Sequence, residues 1–119
     1  MKLTIKGILY DLNSYIADLN SSRYSGNSTK QSQQRDCVIQ LTKYKSLKLT
    51  GKYHFGFTWY CKDKKKDPDN IAFAKKVIMD SLVKSGMLPN DGWKNVGGFT
   101  DEFEIDKGNE RVEIEITEV

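Results

Sequence analysis

Apolar and polar residues alternate in four segments of the chain, which is the pattern of strands with one buried face. The clearest is YHFGFTWYC at residues 53–61, where one face carries Phe, Phe, Trp and Cys in turn. That aromatic row is typical of a core face, although it also suits a stacking surface for bases. The other strands are predicted at residues 2–6, 97–106 and 111–118, and the KGN turn between the last two predicts a hairpin.

Apolar residues recur at helical spacing in three other segments. They predict helices near residues 11–20, 29–46 and 70–85, and Gly86 is expected to end the last one in a left-handed conformation. The core stripe of that last helix consists of Ile71, Ala74, Ile78 and Leu82. The SSRYSGNSTK stretch ahead of the second helix predicts a polar connecting loop, although its hydroxyls, amide and cations also suit a phosphate-binding loop.

The element order β-α-α-β-α-β-β predicts one small α+β (mixed α/β) domain over residues 1–119, with a mixed sheet flanked by helices. A hydrophobic content of 38% is enough for one modest core. No apolar run approaches the ~20 residues that span a bilayer, and MKLTIKG is too short and polar for a signal peptide. We therefore expect a cytoplasmic protein, with Cys37 and Cys61 as reduced, partly buried thiols.

The net charge of +3 is unevenly distributed along the chain. Residues 1–66 hold 13 Lys and Arg against 4 Asp and Glu, a charge of +9, whereas residues 67–119 hold 6 against 12, a charge of −6. A basic half suggests a polyanionic partner, and an acidic half suggests local sites for cations. With a single histidine, His54, and no Cys/His cluster, we expect any metal to be a hard cation bound by oxygens rather than zinc.

Residues 62–71, KDKKKDPDNI, place two aspartates after a run of lysines, at the start of the third predicted helix. Pro68 is expected to hold Asp67 in an extended conformation. Asp69 then suits the N-cap of the helix, which is one interpretation of the pair. The other is a metal site, because two carboxylates in one stiff turn can reach a single Mg²⁺ that keeps waters and substrate phosphate oxygens as its other ligands.

Under the metal-site interpretation, the neighbouring cations would bind the flanking phosphates of a nucleic acid. These cations are Lys62, Lys64, Lys65 and Lys66. A third carboxylate is needed, and Asp91 in the PNDGW turn would have to return over the sheet to supply it.

The 27-residue stretch DPDNIAFAKKVIMDSLVKSGMLPNDGW resembles the RusA-type crossover-junction endodeoxyribonucleases, which resolve Holliday junctions. That family's pattern is Asp-x-Asp-Asn, a helix with a lysine and an Asp-x-Leu element, a glycine, an acidic turn and then strands. The resemblance covers residues 53–118 and extends more loosely to LYDLNSYI near the start. It is strongest to the versions found in phages and prophages of Gram-positive bacteria.

The resemblance implies a small homodimer that binds four-way DNA junctions in recombination and repair and nicks two opposing strands with Mg²⁺ or Mn²⁺. Carried over to this chain, the three metal-binding, catalytic aspartates are Asp67, Asp69 and Asp91. The family's lysine, four residues after the second aspartate, is Phe73 here. We expect Lys76 to replace it, because on a continuous helix Lys76 lies on the same side as Asp69. Its other role would be an i,i+4 pair with Asp80.

Three further residues complete the predicted site. Asn70 is expected to support the metal ligands, and Lys75 is a further DNA contact. Asp101 lies on the apolar face of its strand, where an acid needs a partner or a metal, so it could support the ligands or be a fourth one. Two other functions stay open: a non-catalytic nucleic-acid-binding protein on the same scaffold, with Phe73 marking lost activity, and an interaction protein whose Asp-Pro-Asp only caps a helix.

Overall fold

A computed structural model of the chain describes residues 1–7, 23–44 and 46–119. The helix predicted at residues 11–20 lies outside these residues. Within them the strands are β1 (Lys2–Lys6), β2 (Tyr53–Cys61), β3 (Val96–Ile105) and β4 (Arg111–Glu118). The helices are α1 (Arg23–Leu41), α2 (Pro68–Ala72) and α3 (Lys75–Lys84), with a 3₁₀ turn at Thr42–Tyr44.

The strands form one mixed sheet in the order β1-β4-β2-β3. β2 runs parallel to β3 and antiparallel to β4, and β1 is antiparallel to β4. The α+β prediction with a mixed sheet is confirmed, but the predicted hairpin is wrong because β2 lies between β3 and β4. The Asp106 amide donates to the Cys61 carbonyl at 2.8 Å, so the connection after β3 crosses the end of β2.

The apolar faces of β1, β2, β4 and the helices meet in one contiguous core. On β3, by contrast, Phe99, Phe103 and Ile105 are 44%, 37% and 48% exposed, so the buried face predicted for that strand is wrong. Phe55, Phe57 and Trp59 of β2 are at most 4% exposed. This confirms the core interpretation of the aromatic row. The stripe predicted on the third helix is also confirmed, because Ala74, Ile78 and Leu82 are buried and Ile71 packs partly buried against them.

The first described helix begins earlier than its residue pattern predicts. α1 starts at Arg23, so the loop predicted for SSRYSGNSTK is wrong over residues 23–30. Ser, Gly and Asn are poor helix formers, but the penalty is at most ~1 kcal/mol each and tertiary packing readily outweighs it. The buried side chains of Cys37 and Leu41 supply that packing at the other end of α1. None of the helices in the described part of the chain is long and apolar enough to cross a membrane.

The helix predicted at residues 70–85 is two helices, since α2 ends at Ala72 and α3 begins at Lys75. The angle count that placed Lys76 on the side of Asp69 assumed an unbroken helix, so it does not apply here, and the role of Lys76 stays a prediction. The N-cap is also different from the prediction: it is Asp67 rather than Asp69. Pro68 occupies the first helical position, where its missing N–H costs nothing. The N-cap is therefore the residue before Pro68, which is Asp67.

Gly86 ends α3 as predicted. Its φ is +82°, its amide donates to the Val83 carbonyl at 3.0 Å, and the Met87 amide donates to the Leu82 carbonyl at 3.1 Å. These two bonds form a Schellman motif, in which the side chains of Leu82 and Met87 are both buried. The chain reverses here and runs back along α3.

Replacing Gly86 by alanine should lower the free energy of unfolding by about 1 kcal/mol, because a Cβ disfavours the left-handed conformation. A Cβ at this position would meet only the Lys48 Nζ, at 3.9 Å, so steric crowding adds nothing. Urea denaturation measures the change. Gly92→Ala is the control, since Gly92 is not among the positive-φ glycines and its nearest new contact is an ordinary 3.7 Å. Equal losses in the two variants would contradict the cap argument.

Candidate metal and nucleic-acid site

The two aspartates of the Asp-Pro-Asp segment stand at the start of α2. Asp67 is extended, with φ −71° and ψ 148°, which confirms the effect predicted for Pro68. Its carbonyl accepts the amides of Asn70 and Ile71 at 3.1 Å, but its carboxylate makes no capping hydrogen bond. The exposed Asp67 carboxylate is therefore not used to start the helix.

The Asp69 carboxylate is exposed in the first turn of α2. Its Oδ1 accepts a hydrogen bond from the Asn70 amide at 2.9 Å. Asn70 itself is the buried residue of α2, so it holds the turn against the domain while the two acids face outward. This is the supporting position predicted for Asn70, although its role toward a metal stays a prediction.

Asp91 returns toward the start of α3 because the chain reverses at Gly86. Its Oδ2 lies 3.7 Å from the Lys76 Nζ, and the same ammonium lies 3.0 Å from Oδ1 of Asp80. The hydrogen bond that the Lys76 ammonium donates to Asp80, with a smaller contribution from Asp91, raises the pKa of Lys76. Lys76 thus stays cationic at neutral pH and bridges an acid on its own helix to the acid in the turn.

The predicted metal ligands are not gathered into one cluster. Among residues 1–7, 23–44 and 46–119, no three His, Cys, Asp or Glu side chains are arranged to hold a metal ion. Asp67 and Asp69 nevertheless fit a hard cation, because Mg²⁺ is commonly bound by one or two carboxylates and completes its shell with water and substrate phosphates. Asp91 instead contacts Lys76.

Asp101 has protein partners on the apolar face of the sheet. The Lys75 Nζ lies 2.7 Å from its Oδ2, and the Trp59 Nε1 donates to its Oδ1 at 2.9 Å. The Lys75 ammonium also lies 4.9 Å from the centre of the Phe99 ring, a cation–π contact. The sequence indicated that Asp101 needs a partner or a metal, and the structure supplies partners.

The sequence did not reveal this Lys75–Asp101–Trp59 cluster because it depends on the register of β2 against β3, which pairs Phe57 with Asp101. The only signal along the chain is an acid placed on an apolar face. Since the Lys75 ammonium is engaged here, we leave it out of the proposed DNA contacts.

The lysines between β2 and α2 are exposed, as a phosphate-binding segment requires. We call residues 62–66 the lysine loop; its cations are Lys62, Lys64, Lys65 and Lys66. The only acid within it, Asp63, turns its Oδ1 to the Lys65 amide at 3.0 Å. The loop leads directly into Asp67, so four cations and three carboxylates share the short surface segment 62–69.

Comparisons with known proteins add no relative: no family model matches the chain, and no curated protein is significantly similar to it.

Proposed function

We propose that the chain is a metal-dependent endodeoxyribonuclease that cuts four-way DNA junctions in recombination and repair, as its resemblance to the RusA-type enzymes implies. The observation that carries the proposal is the Asp67–Asp69 segment. Both carboxylates are exposed, the Asp67 side chain does not cap α2, and four exposed lysines precede them. A segment built only to start a helix would need neither the second acid nor the cations.

In this proposal the lysine loop binds the phosphates on either side of the cut, and Asp67 and Asp69 hold Mg²⁺ or Mn²⁺ next to it. When bound, such an ion activates water and stabilises the leaving oxygen in phosphodiester hydrolysis. Asp91 would act indirectly, by helping to hold the Lys76 ammonium in position. With two acids beside it, Lys76 is held at the start of α3 as a cation that can contact the phosphate being cut.

The proposal includes a homodimer. Cutting two opposing strands of a symmetric junction needs two sites related by a two-fold axis, which a dimer of identical subunits provides. The enzyme would act in the cytoplasm.

The second candidate is a nucleic-acid-binding protein without catalysis. Two observations favour it: Asp91 contacts Lys76 at 3.7 Å, and Phe73 stands where the family has its lysine. In that case the lysine loop binds the junction and no strand is cut.

The test is incubation of the protein with a synthetic four-way junction and with a linear duplex of the same sequence, in Mg²⁺, in Mn²⁺ and in EDTA. We expect paired nicks near the crossover with either metal, no cutting in EDTA and little cutting of the duplex. A supercoiled plasmid with an extruded cruciform adds the test of the dimer, since it becomes linear only when both strands are cut in one encounter.

Two results would count against this function. Tight binding of the junction with no cutting in either metal would leave the second candidate as the function. Neither binding nor cutting would contradict both.

A further inference from the structure

A pocket of about 230 Å³ lies beside the lysine loop, on the side of the loop that faces the sheet. Its apolar lining includes Trp59, Ile71 and Val112, which come from β2, α2 and β4. The pocket is therefore bounded by the end of the central strand and by the helix that carries Asp69.

Arg111 is one of the residues that line the pocket, and its guanidinium is held in a fixed position. The Cζ of Arg111 lies 3.7 Å from the centre of the Tyr60 ring, which is directly opposite it in the sheet. Its Nη1 and Nε are each 2.8 Å from a carboxylate oxygen, of Asp106 and Glu113 respectively. These contacts fix the plane of the guanidinium and offset its charge. Because Arg111 alternates with the buried Val112 along β4, its side chain lies with Tyr60 on the face of the sheet opposite Trp59 and Val112.

The rim of the pocket is mainly cationic. Lys62, Lys65 and Lys66 line it, together with the acids Asp63 and Glu110. Asp63 is turned toward the backbone of its own loop. An apolar interior below a lysine rim matches a group that is apolar at one end and anionic at the other.

The size of the pocket limits what it can hold. Pockets for drug-sized ligands span ~300–1,000 Å³, so about 230 Å³ suits a single ring system. A nucleobase has this size and a planar face, and stacking of bases on protein side chains tolerates any sequence.

We propose that this pocket receives one unpaired base of a DNA strand, while the lysine rim contacts the phosphates of the same nucleotide. The inference rests on the proposed function in that the strand belongs to the DNA bound by the lysine loop. It adds that the protein recognises the junction through an unstacked base at the crossover, at the cost of unpairing that base. Because the loop continues into Asp67, a base in the pocket sets which neighbouring phosphodiester bond reaches the two carboxylates.

The test uses Cys61, which lines the pocket. Partial burial and the nearby Asp63 raise the pKa of this thiol, so alkylation is followed at mildly alkaline pH. The other thiol, Cys37, is fully buried, and that burial raises its pKa to about 11. Cys37 should therefore react far more slowly, and mass spectrometry of the digested protein measures modification of each cysteine separately.

The protein in EDTA is treated with N-ethylmaleimide alone, with an intact four-way junction, and with the same junction carrying abasic nucleotides at the crossover. Fluorescence anisotropy measures binding in parallel. We expect the intact junction to slow Cys61 alkylation at least about five-fold, and the abasic junction to give little protection. The abasic junction should also bind about 5–100-fold more weakly, which is the range that loss of base stacking predicts.

A variant that fills the pocket gives an independent measurement. Cys61→Phe should remove the preference for the intact over the abasic junction, because the added ring occupies the space of the base. Lys64→Gln is the matched control, since Lys64 belongs to the same loop but does not line the pocket. It should weaken binding of both junctions equally and keep the preference.

The outcomes separate the pocket from the nuclease. Binding without protection of Cys61, or equal protection by the two junctions, overturns the base pocket and leaves the proposed nuclease standing. Protection without cleavage in Mg²⁺ supports the pocket and overturns the nuclease. Absence of binding overturns both.

Discussion

Asp69→Asn should reduce metal-dependent cleavage of a four-way junction at least about 100-fold, since losing even an indirect support of a metal ligand costs ~10–100-fold. The fold should be unaffected. Asp69 is exposed, and its carboxylate accepts a hydrogen bond from the neighbouring Asn70 amide at 2.9 Å. The side-chain oxygen of asparagine can accept the same hydrogen bond. What asparagine cannot supply is the negative charge that holds a hard cation.

The matched control for this variant is Asp63→Asn. Asp63 lies four residues before Asp67 in the same surface segment, and its carboxylate likewise accepts one local amide, from Lys65 at 3.0 Å. Both substitutions remove one negative charge beside the lysines, so both should bind the junction as well as the wild type or slightly better. Only Asp69→Asn should lose cleavage and show weakened Mn²⁺ binding by calorimetry. Cleavage by Asp69→Asn at the wild-type rate would rule out a metal site there.

Lys75→Met should lower the free energy of unfolding by about 2–3 kcal/mol, because it leaves the Asp101 carboxylate without its cation on an apolar face. The side chains of Lys75 and Asp101 are 21% and 24% exposed, so the loss should be smaller than for a fully buried pair. Trp59 continues to donate to Oδ1, but Oδ2 loses its 2.7 Å contact. Urea denaturation measures the effect.

Substitution of the adjacent Lys76 should have the opposite effects on stability and cleavage. Lys76 is 58% exposed and pairs with Asp80 one turn along the helix, a contact worth at most ~0.5 kcal/mol. Lys76→Met should therefore keep nearly full stability and instead lower cleavage, the reverse of Lys75→Met. Adding Asp101→Asn to Lys75→Met should recover part of the stability, because the unpaired charge is then removed. Equal losses of stability in the two lysine variants would refute the conclusion that Lys75 stabilises the fold through its contact with Asp101.

Local features of the fold could be predicted well from the sequence. The bounds of β2 agree residue for residue with the alternating pattern at 53–61. The left-handed end of α3 follows from Gly86, and the extended Asp67 follows from Pro68. Each of these depends on the conformational preferences of a few adjacent residues, which the sequence displays directly.

Partners that meet across the fold could not be predicted. Nothing in the residues near Asp101 shows that Lys75 and Trp59 will bind it, since this follows from the parallel register of β2 and β3. Likewise Asp91 meets Lys76 because the chain runs back along α3 after Gly86. The metal-site interpretation required Asp91 to return, but nothing in the sequence showed that it does or which side chain it meets.

For this protein, the sequence by itself determined the buried faces of β1, β2 and β4, the core stripe of the third predicted helix and the placement of two acids after a lysine run. The tertiary structure alone decided that β2 takes the interior of the sheet and separates β3 from β4. It also decided that the chain breaks its helix between Ala72 and Lys75. The physical reason is that periodicity and caps act over a few residues, whereas strand order depends on how much apolar surface each whole element buries against all the others.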